Sequence, residues 1–174
     1  MTTRARIRTI RPDEWRELRD VRLRALADAP DAFGATLAEE EADPDEAWQH
    51  RADRPDGTLI VAVDDSGRFI GVGSGGQAPD TRDFAAIFGM WVDPASRGQG
   101  IGQAIIREIA DWARGAGYEA IGLGVTIGNG PAIALYERLG FRDTGLRYPL
   151  RDGTDLTIQV MTTSLADLAT YFAA

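Results

Sequence analysis

The sequence predicts one α/β domain over residues 1–174, and three observations carry that expectation. Runs with strand period and runs with helix period alternate from end to end, in the order β, α, α, three meandering strands, α, β, α, β, β. No internal repeat and no linker long enough to separate domains interrupts them. With 44% hydrophobic and 26% charged residues in 174, the chain can bury a core, which excludes disordered and fibrous classes.

Each element has a local reason. Arg4 to Ile10 alternates around Ile7, and Pro12 then opens a helix carrying Trp15, Leu18, Val21 and Ala25 on one stripe. Ala29-Pro30-Asp31 breaks that helix. Glu39 to Glu46 collects six acidic residues before a short helix near Trp48, a solvated face on its simplest reading. Leu59–Val63 and Phe69–Gly73 flank Asp64-Asp65-Ser66-Gly67 and read as a hairpin, with a third strand at Phe84–Val92. Ile101, Ile105, Ile109 and Trp112 recur at helical spacing until Gly115 and Gly117 stop the run. Tyr118–Thr126 is a strand with Ile121, Leu123 and Val125 on one face. Its other face, with Ala120, Gly122 and Gly124, is nearly bare, so something approaches it closely. Pro131 suits the first turn of a helix that ends at Gly140, and two strands, Arg142–Leu150 and Asp155–Thr163, turn at Asp152-Gly153.

Composition removes several chemistries. There is no cysteine, hence no disulfide, thiolate nucleophile or cysteine-bound zinc, and the one histidine, His50, lies in a polar helical stretch with no motif around it. No metal site is expected. A net charge of −8 repels nucleic acid and favours cationic ligands. No apolar run approaches a membrane span, and Met-Thr-Thr-Arg-Ala-Arg lacks a signal-peptide core, so a cytoplasmic protein with no membrane partner is expected. All 19 basic residues are arginine, which looks like coding bias and carries no functional inference.

Two glycine clusters remain. Gly71-Val72-Gly73-Ser74-Gly75-Gly76 has the spacing of a dinucleotide fingerprint, but Gln77-Ala78-Pro79-Asp80 makes a turn where a helix is required. A hairpin end or strand irregularity explains it better. Arg97-Gly98-Gln99-Gly100-Ile101-Gly102 lies between a strand and the amphipathic helix, where backbone N–H groups and the helix dipole converge on an anion. Without the Lys-Ser/Thr ending of a nucleoside triphosphate loop, it suits a pyrophosphate held without magnesium.

Met90-Trp91-Val92-Asp93-Pro94, Arg97-x-x-Gly100-x-Gly102, and then Asn129 with Ala132, Leu135-Tyr136 and Gly140-Phe141 together resemble the GNAT superfamily of acetyl-coenzyme A dependent N-acetyltransferases. The resemblance is strong from Trp91 to Phe141 and extends elsewhere by element order. It implies a central mixed, mostly antiparallel sheet flanked by helices, with two parallel strands splayed in the middle to admit the pantetheine arm. Arg97, Gly98, Gln99, Gly100, Ile101 and Gly102 would hold the pyrophosphate. The backbone of Met90 and Val92 would bind pantetheine, Asn129 would touch it, and Tyr136 would serve the departing thiolate as a hydrogen-bond or proton donor.

The implied reaction moves acetyl directly from acetyl-coenzyme A to a primary amine of a small molecule or peptide; a homodimer is compatible with it. An amine of pKa near 10.4 is neutral only about once in 10³ at pH 7, so its proton must go somewhere. Many relatives use a glutamate at the position of Ala86. Asp83, the acidic segment or water could replace it. The segment from Pro30 to Arg54, with Phe33 and Trp48, is expected to wall the acceptor pocket and to favour a cationic or amphipathic amine. The rival expectation is a module that binds acyl-coenzyme A without transferring the acyl group, which would have no need of Tyr136.

Overall fold

The computed structural model describes residues 5–54, 56–79 and 81–174; Arg4 at the first expected strand, the N-terminal tetrapeptide and Asp80 of the expected turn lie outside them. In chain order the elements are β1 (Arg6–Thr9), α1 (Trp15–Asp28), α2 (Leu37–Glu41), α3 (Asp45–Asp53), β2 (Thr58–Val63), β3 (Phe69–Gln77), β4 (Phe84–Val92), α4 (Ile101–Gly115), β5 (Ala120–Thr126), α5 (Gly130–Arg138), β6 (Arg142–Pro149), β7 (Thr157–Ser164) and α6 (Leu165–Ala173). The strands form one sheet in the order β1-β2-β3-β4-β5-β7-β6. All neighbours are antiparallel except β4 and β5, which pair in parallel because α4 carries the chain back across the sheet. The mixed, mostly antiparallel sheet of the sequence reading is therefore observed.

Helix α4 packs its isoleucine stripe on one face of the sheet. Ile105, Ile106 and Ile109 are fully buried there, each stabilising the fold by about 1.5–3 kcal/mol. The glycines of β3 are its seat: a Cβ on Gly73 would fall 2.8 Å from Ile105, and one on Gly75 2.7 Å from Ile109. The Gly71–Gly76 cluster is thus a strand interior under a helix, with a register shift between Val72 and Ser74, and no hairpin end. On the opposite face α1 and α3 cover β2, β3 and part of β4, burying Val21, Leu26, Trp48, Val61 and Trp91.

Helix α6 was not expected from the sequence. Strand β7 runs into it with no intervening turn, and its start is marked only by Ser164, whose hydroxyl accepts from the Asp167 N–H at 3.0 Å. Helix α2 is likewise additional, started by a capping box between Thr36 and Glu39.

Candidate active site

The loop from Arg97 to Gly102 meets the N-terminus of α4. Gly98 and Gly100 have φ of +75° and +78°, and Gly100 is the N-cap of the helix. A Cβ on either would meet nothing within 4 Å, so glycine is required for its backbone conformation and the space in front of the loop is open. That space, faced by amides at a helix N-terminus, fits a pyrophosphate. Arg97 itself is engaged elsewhere: its Nε donates to the Val92 carbonyl at 2.9 Å and its Nη2 to Asp28 at 2.5 Å. It braces the loop against β4 and α1, and it occupies a carbonyl expected to face pantetheine. Gln99 is exposed, and Ile101 turns into the core.

β4 and β5 pair only from Phe84–Ala120 to Ile87–Leu123. Beyond that point Phe88–Val92 continues without a β5 partner, and Gly89, at φ +61°, sits in the bulge that turns β4 away. The two parallel strands are splayed. A cavity of about 680 Å³ opens at the splay and spreads over one face of β5, β7 and β6. Its walls are mainly apolar, among them Phe33, Phe84, Phe88, Leu146, Tyr148 and Ile158. The turn bearing Phe33 is pinned over the strands: Thr126 Oγ1 donates to Asp31 O at 2.7 Å, and Arg151 Nη1 to Phe33 O at 2.8 Å.

Tyr136, on α5, lines this cavity and packs edge-on to Phe141, ring centroids 5.9 Å apart. Burial pushes its phenol up to about 12, far above the thiol it would serve. It keeps its proton across the working range, so its hydroxyl is available as a hydrogen-bond donor. Asn129 lines the cavity too, while its side chain accepts from the Ala132 N–H at 3.4 Å and caps α5. Met90 faces the cavity; Val92 sits behind, against the core with Gly102.

Some sequence expectations hold and others are corrected. The bare face of β5 is approached by β7: a Cβ on Gly122 would fall 3.1 Å from Thr162, and one on Gly124 3.0 Å from Ile158. Both glycines line the cavity. Trp48 is fully buried beneath α3 and does not wall it. The acidic segment contributes no carboxylate to the lining, and neither does Asp83. Ala86 is there, buried at 6% exposure, so the position at which the family resemblance implied a base carries a methyl group. Among the described residues the cavity wall holds no aspartate, glutamate or histidine; its one charged side chain is Arg22. Arg22, Leu146 and Tyr148 were not singled out from the sequence, because they come together only through packing. Among the described residues no His/Cys/Asp/Glu group suited to a metal occurs, and no helix is long and apolar enough to cross a membrane.

Residues 13–141 match the family model for the acetyltransferase (GNAT) family. The streptothricin acetyltransferase of Streptomyces lavendulae is 40% identical over 101 residues, 52% of this chain and 52% of that protein. The L-amino acid N-acetyltransferase AaaT of Escherichia coli (strain K12) is 34% identical over 116 residues, 63% of this chain and 70% of its own. The chain spans about half the length of the first curated relatives it matches. Among solved structures, yncA of Salmonella typhimurium with its cofactor acetyl-CoA superposes with a TM-score of 0.74 at 20% identity, covering 94% of this chain and 95% of that one. The ribosomal-protein-alanine N-acetyltransferase of Brucella melitensis gives 0.74 at 23% identity, covering 91% and 99%. At these identities the structural likeness concerns the fold.

Proposed function

Because the chain belongs to the GNAT family of acetyltransferases, we propose that it transfers acetyl from acetyl-coenzyme A directly to a primary amine seated in the apolar cavity. The observation that carries this reading is that the splayed end of β4 and Tyr136 line one cavity, with the open glycine loop following directly after that free stretch of β4. The amides of Gly98 to Gly102 hold the pyrophosphate, the free stretch of β4 at Met90 and Asn129 flank the pantetheine arm, and Tyr136 stands at the sulfur. Acetyl-coenzyme A supplies an activated thioester carbonyl. The amine nitrogen attacks that carbon, the C–N bond forms and the C–S bond breaks. The phenol of Tyr136 donates a hydrogen bond to the leaving sulfur, and the proton shed by the amine leaves through water.

With no carboxylate or imidazole on the wall among the described residues, deprotonation falls to solvent. The rate at low acceptor concentration then follows the fraction of neutral amine, which favours acceptors of low pKa. An α-amine near 8 is neutral about one time in ten at pH 7, a long-chain amine near 10.4 about once in 10³. The apolar wall selects a small molecule or peptide end with an apolar body.

A panel of amines tested for free thiol release from acetyl-coenzyme A checks this. The expected outcome is transfer to apolar α-amines, with kcat/KM rising about tenfold per pH unit up to the amine's own pKa. A pH-independent rate from pH 6 to 8 would show a base in the protein, and thiol release with none of the amines would favour a binding module.

A further inference from the structure

Of the four buried side-chain polar atoms that lack a hydrogen-bond partner among the described residues, three are donors of residues lining one small cavity: Trp48 Nε1, Arg51 Nη1 and Arg54 Nε. Buried donors are almost always paired, so three orphans around one space need an acceptor there. The space, about 230 Å³, lies between α1 and α3 and the β3–β4 part of the sheet. It shares Arg22, Phe88 and Gly89 with the large cavity, and so forms a side chamber at the β4 bulge.

Its charges do not cancel. Arg22 is held in two hydrogen bonds by Glu40, at 2.9 and 2.8 Å, which neutralises both. Arg51 is paired with Asp43 at 2.6 Å through its Nη2, with its guanidinium over the Trp48 ring. Arg54 has no ion pair among the described residues. Its guanidinium is wedged against β2 and β3, Nη2 lying 3.4 Å from where a Cβ of Gly76 would stand. At the C-cap of α3 the backbone of Arg54 has φ +25°, a positive value that side chains other than glycine rarely adopt. Trp48 is fully buried, so no exposed solvent can satisfy its indole N–H.

We infer that this side chamber binds a carboxylate carried by the acceptor, so that the acceptors are amino acids or other amines bearing an acid group. One uncompensated positive charge matches a monoanion better than a dianionic phosphate. A carboxylate offers two acceptor oxygens to the guanidinium and the indole, and the two spaces adjoin at Arg22, Phe88 and Gly89, where one small molecule would span them. The inference rests on the proposed seat of the acceptor in the large cavity.

The test reads the indole N–H resonance of Trp48 in 15N-labelled protein, assigned with Trp48→Phe. Apolar α-, β- and γ-amino acids are titrated, each beside its decarboxylated amine, with acetate and inorganic phosphate as free anions. At least one amino acid is expected to move the resonance where its amine does not, at concentrations where acetate and phosphate have no effect. Arg54→Met should abolish that shift, and Arg54→Lys, which keeps the charge, should retain part of it. In turnover, Arg54→Met should raise KM for the amino acid about tenfold, leave KM for the amine within about twofold, and leave kcat unchanged. The inference is overturned if no amino acid moves the resonance, which would mean the chamber holds only water. Equal shifts from amine and amino acid also overturn it, as does a shift from the free anions as strong as that from any amino acid. Because the resonance needs no turnover, a shift without acetyl transfer would sink the transferase reading and leave the chamber standing.

Discussion

The two ends of the cleft are built from different material. At the proposed coenzyme end, one continuous stretch from Met90 to Gly102 presents backbone: amides at a helix N-terminus, glycines at φ +75° and +78°, and a strand edge left free by the splay. At the proposed acceptor end, side chains from the Phe33 turn, β4, β6 and β7 meet around a cavity, and their order in the chain says nothing of their meeting. A backbone site must be written in the residues that permit its conformation. A side-chain site can be rewritten residue by residue, and the two ends should respond differently to mutation.

The largest expected effect falls where the ends meet. Tyr136→Phe removes one hydroxyl and keeps the ring against Phe141. In single-turnover measurements at saturating acetyl-coenzyme A, acetyl transfer should slow by about 10²–10³-fold, the loss of one donor to a developing negative charge. With the phenol held at about 12, wild type should show no alkaline decline from this group below that value, because the donor form is lost only as pH rises through it. Transfer at the wild-type rate in Tyr136→Phe would make the residue structural.

The coenzyme end should resist side-chain changes and fail on backbone ones. Gly100→Val forces a β-branched residue to φ +78°, a conformation such side chains avoid. Coenzyme A affinity measured by calorimetry should fall by about tenfold or more, while exposed Gln99→Ala stays within about twofold, a change of some 0.4 kcal/mol. If Gln99→Ala is the more damaging of the two, the loop binds through side chains and the contrast between the ends is wrong.

Legibility followed the same division. The strand Phe84–Val92 and the start of α4 at Ile101 match the sequence reading, because hydrophobic period and glycine stops are local signals. Arg97 to Gly102 and Tyr136 were grouped by the family resemblance of their motifs, and the start of α4 after Gly100 and the place of Tyr136 on α5 agree with the expected elements. Local signals missed α6, since β7 passes into it at Ser164 without a breaker, although Ser164-x-x-Asp167 ahead of Leu165 and Leu168 was a cap signal in plain view. They gave no sign that Trp48 would be sealed in the core with its N–H unpaired, or that Arg54 would turn inward at a helix C-cap. Both facts depend on how α3 lies on the sheet.

The smallest expected effect tests how the coenzyme end is anchored. Asp28, at the end of α1, accepts from Trp91 Nε1 at 2.9 Å and from Arg97 Nη2, so one carboxylate ties the helix to β4 and to the glycine loop. The Trp91 hydrogen bond first, and then Arg97, hold its carboxyl below the usual aspartate range. A depressed carboxyl stabilises the fold above its unfolded pKa of about 4, and that contribution is lost as pH falls through the lowered value. Asp28→Asn keeps an oxygen for the indole and removes the charge that faces Arg97. Because Arg97 is half exposed, at 51%, solvent screening limits the loss to about 1 kcal/mol at pH 7. Urea unfolding should show that gap at pH 7 and a narrower one at pH 3, where wild type has also given up part of its carboxylate. Coenzyme A affinity should weaken by about threefold through the loosened loop, which corresponds to some 0.6 kcal/mol. An unfolding gap that stays constant from pH 7 to 3 would mean that shape alone matters at Asp28, and unchanged coenzyme affinity would mean that the loop holds its conformation without Arg97.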